Sequence, residues 1–387
     1  MISFFNVGNS NGLGHWSFFT GKVALLVLVS TTFFQSCTSE SNDAPPAISE
    51  SVQPDGLNVK TINFEGAGGL EKQLLQSTPL GFAEQLANPK RLLLVNDYLV
   101  MSDEDPNAML KVFDLKSKER KDDLGVNGYG PGEMMSTWTV SRGSGAQDFW
   151  VYDVQLKALN RYEIGQNERE AQKQISFKET PIGLNSVVYD TDSTFGAFFQ
   201  DVRSIFTQLN DKGESTERYG SWQTLAQSNQ TSIEIIAQVY QGFLSIHPDH
   251  THYALSSTVV GTIHVMDLIN RKMYKILGPD GYVPNVSAVD VQGRMTYAPD
   301  VENSIHGYIS VAFTNNAFWA LYSGNQWKGR PGEVFNGERV FKFSLEGDLQ
   351  AVYELDTPVR CIVVDGENRI IYGASDEAEP DIFEFKY

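Results

Sequence analysis

Val359-Arg360-Cys361-Ile362-Val363-Val364, Arg369-Ile370-Ile371-Tyr372-Gly373 and Asp381-Ile382-Phe383-Glu384-Phe385-Lys386 are the last apolar runs of this 387-residue sequence. Each is short, rich in β-branched and aromatic residues, and bounded by Gly, Asp, Asn or Pro. That is the pattern of antiparallel strands joined by tight turns. Three strands leave a sheet with a bare edge. At the other end of the chain, Asn58-Val59-Lys60-Thr61-Ile62-Asn63-Phe64 alternates like a strand and has no partner close in sequence. Taken as the missing fourth strand, it joins the two ends of the chain in one sheet and closes a ring.

The rest of the chain repeats the same unit. Six segments place an apolar or aromatic centre beside a polar residue: Val112-Phe113-Asp114, Arg161-Tyr162-Glu163, Ile205-Phe206-Thr207, Ile263-His264-Val265, Val340-Phe341-Lys342 and Ile382-Phe383-Glu384. Their centres recur at intervals of 42 to 77 residues. A pair of strand-like runs precedes each centre, and a further strand follows most of them. Four short antiparallel strands per unit, six times over, predict an all-β, six-bladed β-propeller spanning 58–387. No long stretch has apolar residues at helical spacing.

Composition agrees with one folded all-β unit: 41% hydrophobic, 12% aromatic, with 33 Gly and 15 Pro for turns. Net charge is −18, and no basic surface is visible to displace phosphate counterions. The reading therefore excludes nucleic acid as a partner, and allows a membrane only through an anchor.

That anchor is legible near the N-terminus. Residues 23–34, Val-Ala-Leu-Leu-Val-Leu-Val-Ser-Thr-Thr-Phe-Phe, form an apolar run after Lys22, too short for a bilayer and right for a signal-peptide core. Phe34-Gln35-Ser36-Cys37 follows, then Thr-Ser-Glu-Ser-Asn-Asp-Ala-Pro-Pro. This resembles the lipobox of bacterial lipoproteins, with Gln35 where that pattern usually has a small residue. The resemblance implies cleavage after residue 36, acylation of Cys37, and residence in the cell envelope as an outer-membrane lipoprotein facing the periplasm or the cell surface. Residues 37–57, rich in Ser, Glu, Asp, Asn and Pro, read as a flexible tether.

Two motifs carry a second resemblance. Gly128-Tyr129-Gly130-Pro131-Gly132-Glu133-Met134 is similar to the Gly-x-Gly-Pro-Gly-Glu loop of TolB-like six-bladed propeller lipoproteins. Ile246-His247-Pro248-Asp249-His250 is similar to the Ser-Pro-Asp-Gly turn of TolB-type blades, with His replacing both Ser and Gly. The resemblance implies the propeller fold and an exported location, and no single activity.

Candidate chemistry is sparse. His247, His250 and His252 crowd six residues and are weighed as zinc or copper ligands, but they flank a Pro-Asp turn that explains them structurally. Acidic clusters at Asp103-Glu104-Asp105, Asp190/Asp192, Asp300/Glu302 and Asp376-Glu377-Glu379-Asp381 are the residues that could hold Ca²⁺ in a central channel. No Gly-x-Ser-x-Gly or His-Glu-x-x-His motif is present. Cys361, in a strand-like run, reads as a small buried apolar residue rather than a nucleophile. The chain thus reads as a binding or scaffolding module without a cofactor, the alternative being a Ca²⁺-dependent hydrolase or lactonase.

Counting strands places the loops at 103–109, 125–134, 200–203, 257–261, 279–306, 323–338 and 375–380 on one face, and the histidine turn on the other. Long loops on a rigid scaffold are where binding is built. A protein, peptide or glycan is expected at that face, with Gly130, Gly132, Glu133, Arg330 and Glu333 as its candidate contacts.

Overall fold

A computed structural model describes residues 49–387 except 53–56, 65–69, 167, 181–182, 201–202, 283, 329–334 and 376–378. Four strands come first: β1 (Ser49–Val52), β2 (Asn58–Ile62), β3 (Lys72–Leu75) and β4 (Ser77–Pro79). Blade 1 follows as β5 (Arg91–Val95), β6 (Tyr98–Asp105), β7 (Ala108–Asp114) and β8 (Glu119–Leu124). Blade 2 is β9 (Thr139–Arg142), β10 (Asp148–Asp153), β11 (Ala158–Glu163) and β12 (Lys173–Ser176). Blade 3 is β13 (Leu184–Thr191), β14 (Thr194–Phe199), β15 (Phe206–Asn210) and β16 (Ser215–Tyr219). Two short helices, α1 (Gln223–Ser228) and α2 (Ile233–Val239), lead into blade 4: β17 (Gly242–Ile246), β18 (His252–Ser257), β19 (Thr262–Asp267) and β20 (Lys272–Leu277). A separate hairpin, β21 (Ser287–Val291) and β22 (Arg294–Ala298), precedes blade 5: β23 (Tyr308–Thr314), β24 (Ala317–Tyr322), β25 (Gly337–Ser344) and β26 (Leu349–Val359). Blade 6 has β27 (Cys361–Asp365), β28 (Ile370–Ala374) and β29 (Ile382–Lys386). Every one of the six repeated segments falls on the third strand of its blade. The chain is an all-β six-bladed propeller.

Period-2 alternation builds the core. Because successive side chains point to opposite faces of a strand, each blade feeds two interblade clusters. On β10, Phe149 and Val151 pack with Val95, Val100 and Val112 of blade 1. Trp150 and Tyr152 point the other way, onto Val187 and Phe195 of blade 3. The same division gives four further clusters, between blades 3 and 4, 4 and 5, 5 and 6, and 6 and 1. A strand covered on both faces is apolar at its centre, as β10, β18, β19 and β24 show; each is buried along its whole length, with polar residues in the first three mostly near the ends. Burying one such Phe or Leu side chain stabilises the fold by about 2 kcal/mol.

Outer strands differ by where they sit. In blades 1 to 3 they are polar: Glu-Arg-Lys-Asp-Asp-Leu in β8, Lys-Gln-Ile-Ser in β12 and Ser-Thr-Glu-Arg-Tyr in β16. Charge on an edge strand discourages pairing with a second molecule. In blades 4 to 6 the N-terminal segment lies along the edge instead. β2 pairs in parallel with β20, β3 in parallel with β26, and β4 antiparallel with β29.

This corrects the expected closing strand. Residues 58–62 do not join the last blade; they extend blade 4, where Val59 buries against the cluster between blades 3 and 4. The fourth strand of blade 6 is Ser77-Thr78-Pro79, too short to show alternation and ending in a proline that a sheet tolerates only at its edge. β1, inside the segment read as a tether, pairs with β2. The helices are a second departure. Their apolar residues, among them Ala226, Ile235, Ile236 and Val239, fill the top of the cluster between blades 3 and 4 together with Trp222 just before α1, and Ser232 caps α2 by accepting the Ile235 N–H. Stretches of six and seven residues are too short for a helical period to stand out.

Candidate functional site

In each blade the inner strand starts at the same face, so the connections after second and fourth strands gather there. That face holds α1 and α2, the β21–β22 hairpin and the loop at 125–138. Backbone bonds stitch neighbouring loops together: Thr258 N–H to Gln241 O (3.1 Å), Gly307 N–H to Thr258 O (2.9 Å) and Ser323 N–H to Gly307 O (3.0 Å). The Gln238 side chain accepts the Tyr297 N–H at 3.0 Å, tying hairpin to helix. His247-Pro248-Asp249-His250-Thr251 is the turn after β17, an inner strand, and so belongs to the opposite face.

Inner strands carry hydroxyls because their backbones do not pair between blades. Thr139 Oγ1 donates to Val187 O, Ser245 Oγ to Val311 O (2.9 Å), and Ser310 Oγ accepts the Ile362 N–H (3.2 Å). They tie blade 2 to 3, blade 4 to 5 and blade 5 to 6 around the axis. A cavity of about 110 Å³ follows that axis, lined by the inner strands of blades 1, 2, 4, 5 and 6. Its walls are mostly Leu, Val, Ile and Phe with four hydroxyl side chains between them; arginines stand near its two ends, and His247 and His250 also line it.

At the long-loop end stands Arg91, the first residue of β5. Its guanidinium lies 3.4 Å from the centre of the Phe243 ring. Nη1 donates to Lys90 O (2.8 Å) and Nε to Trp138 O (3.4 Å). Trp138 packs on the same Phe243 with ring centres 5.2 Å apart, and its buried Nε1 has no hydrogen-bond partner among the described residues. Arg360, just before β27, approaches closely enough for its charge to act on Arg91, and lies 5.5 Å from the Phe335 ring. Burial lowers the Arg91 pKa to about 10, and the Arg360 charge acts in the same direction, so the group stays cationic at neutral pH. At the opposite end Arg142 donates Nε to Leu94 O at 2.6 Å. Cys361 lines the channel as a neutral thiol, its pKa pushed up to about 11 by burial.

The glycine loop has a local task. Glu133 turns back to accept the Gly130 N–H at 2.7 Å, and its carboxylate fills the space a Cβ at Gly128 or Gly130 would need. Gly132, at φ +77°, accepts the Ala171 N–H and brings the loop against blade 2. Gly130, Gly132 and Glu133 do not line the channel cavity. Arg330 and Glu333, like Cys37, lie outside the described residues.

The histidines are divided among separate partners. His247 Nδ1 accepts the Asp249 N–H, with Asn315 O 3.3 Å from Nε2. His250 Nδ1 sits 3.6 Å from Asp190, and His252 Nε2 3.9 Å from Asp267. The acidic clusters are likewise occupied. Asp103 and Asp105 clamp the buried Lys111, and Asp103 also accepts the Ala87 and Asn88 N–H groups. Asp190 accepts from Tyr253 Oη (2.7 Å), Asp192 from Tyr189 Oη (2.8 Å), and Asp381 from the Phe82 N–H (2.9 Å). Asp300 accepts from Asn303, and Glu302 pairs with Lys328. Asp376 and Glu377 lie outside the described residues. Among the described residues no three His, Cys, Asp or Glu side chains converge on one point as metal ligands.

The channel mouth was missed from sequence. Its signal was a basic residue directly before an apolar first strand in two units: Lys90-Arg91-Leu92-Leu93 and Arg360-Cys361-Ile362-Val363.

Fold and site define a six-bladed propeller with one elaborated face around an arginine-bearing channel. The model of the TolB-like 6-blade propeller-like family matches residues 71–367, and the chain belongs to that family. A protein of Bacteroides fragilis NCTC 9343, described only as a candidate exported protein, is similar at 12% identity and TM-score 0.53, over 80% of this chain and 94% of that one. A member of the DUF4221 family from Bacteroides vulgatus ATCC 8482 is similar at 12% identity and TM-score 0.51, over 82% and 97% of the two chains. At that identity the likeness is one of fold. No curated protein matches the sequence. No helix among the described residues is long and apolar enough to cross a membrane.

Proposed function

We propose that this chain is an exported propeller, anchored through acylated Cys37, that binds an extracytoplasmic protein, peptide or glycan at its long-loop face. The observation that carries this reading is the asymmetry of the ring. The insertions α1–α2, β21–β22 and 125–138 all rise from one face, around a channel mouth that presents Arg91 and Phe243. A rigid scaffold with its irregular segments collected on one side is how binding surfaces are commonly built. The lipobox-like Phe34-Gln35-Ser36-Cys37 and the exported character suggested for a structural neighbour support the location.

Chemical cross-linking in intact cells, followed by recovery from the membrane fraction, tests both parts. The wild-type protein is expected in membranes with a reproducible cross-linked partner, and Cys37→Ser in the soluble fraction. A Cys37→Ser protein that stays in membranes under high salt would remove the anchor. A cross-link pattern unchanged when 287–298 is shortened to a tight turn would remove the binding face.

A further inference from the structure

We propose that the long-loop mouth of the channel receives the carboxylate of a monoanionic ligand whose apolar body enters the channel, with Arg91 as its principal contact. This deepens, and rests on, the reading of that face as the binding face.

The argument begins with charge. The chain has 48 acidic and 30 basic side chains, so an acid is available to most cations. Lys111 has Asp103 and Asp105, Arg161 has Asp148, Arg339 has Asp280 and Arg120 has Asp123. Arg91, half-buried, has no carboxylate within salt-bridge distance among the described residues. It meets two backbone carbonyls, one of them at 3.4 Å, and an aromatic face. A guanidinium has five N–H groups, so donors remain on Nη1 and Nη2 in the planar fork that suits a carboxylate. Stacking on Phe243 fixes the plane of that fork. Trp138 packs on the same ring and takes the Arg91 Nε–H on its backbone carbonyl, which holds the guanidinium at the mouth.

The rest of the cavity sets the ligand's character. Below Arg91 most of the walls are aliphatic or aromatic, with Leu93, Ile309, Val311 and Val363 among them and the hydroxyls of Ser245 and Ser310 tied to backbone, which suits a largely hydrocarbon body. A net charge of −18 repels polyanions, which favours a single carboxylate over a phosphate ester or an acidic polymer. Such a carboxylate could belong to a free small acid or to a chain terminus.

Calorimetric titration of the purified protein separates these outcomes. Hexanoate is one probe, hexanamide its uncharged control; an apolar tripeptide with a free C-terminus is the other, its C-terminal amide the control. Binding of either acid, with its amide weaker by about tenfold or more, supports the proposal, since a charge-assisted bidentate pair contributes on that scale. Binding of hexanoate alone points to a free acid, and of the free tripeptide alone to a chain terminus. Arg91→Gln is expected to weaken binding about tenfold, Arg91→Lys less, and Arg142→Gln at the far end not at all. Retention of the wild-type melting temperature by Arg91→Lys shows that the fold is intact. Acids and amides binding equally, Arg91→Gln titrating like wild type, or neither acid binding would each overturn it. The cross-link to a partner surviving in Arg91→Gln would then show that the face binds by other means.

Discussion

Asp114, Asp153, Asp267 and Asp365 end a strand in the same way. Each carboxylate accepts the N–H groups two and three residues on, and the residue four places on adopts positive φ: Lys118, Lys157, Arg271 and Arg369. Asp153 also takes the Met135 and Ser136 N–H groups and the Ser136 hydroxyl, while fully buried. Asp153→Ala strands those donors inside the protein and is expected to cost roughly 3 kcal/mol or more in a urea titration, because unsatisfied buried polar groups keep their full desolvation penalty. Carboxylates of this kind show why acidic residues cannot be sorted from sequence into ligands and turn-formers. Their partners are mostly backbone N–H groups, which every residue but proline has, so nothing in the sequence marks which carboxylate is already satisfied. Asp103 and Asp105 show the same limit, since Lys111 becomes their partner only when β6 and β7 pair.

At the scale of elements, alternation identified the strands far better than their partners. Val59 and Ile62 announced β2 correctly, but a parallel edge pairing more than two hundred residues away leaves no local trace. β4 was invisible for the opposite reason, being three residues long with no pattern to see. The two give different predictions. Replacing residues 72–80 by a Gly-Ser linker removes the outer strand of blade 6 together with β3, and is expected to cost several kcal/mol or to cause aggregation on size exclusion. Deleting 49–64 removes only an added layer on blade 4 and should lower the melting temperature less. Equal losses would show that β2 supports the ring as much as β4. Gly242 is the tightest point within an element. A Cβ there would lie 1.6 Å from Ser256 O, in the pairing of β17 with β18. Gly242→Ala should therefore destabilise by about 3 kcal/mol or prevent folding, read from thermal melts.

Across the whole molecule, buried imidazoles set one limb of the pH dependence. Burial lowers the pKa of His247 and His252, that of His264 well below the ordinary value, and that of His306 to about 4. His306 is wedged against Trp327, with ring centres 5.1 Å apart, and Phe335, at 4.5 Å. An imidazole that is harder to protonate when folded leaves the unfolded chain binding more protons below pH about 6.5, so stability rises with pH through that window. For His306 that slope amounts to up to about 1.4 kcal/mol per pH unit between pH 4 and 6.5. His306→Phe, which keeps the stack, is expected to flatten the slope of unfolding free energy there; an unchanged slope would mean that His306 is not among its causes. The path of the N-terminal segment carries a different consequence, one of time. A chain that emerges from its N-terminus presents β2 before residues 272–276 exist to pair with it, β3 before 352–355, and β4 before 383–385. The strands made first are thus the last to find partners, and contacts so distant in sequence form slowly. Until then they are unpaired edges open to the wrong neighbour, so a companion that shields 58–62 and 72–79 during synthesis would act where misassembly is most readily begun.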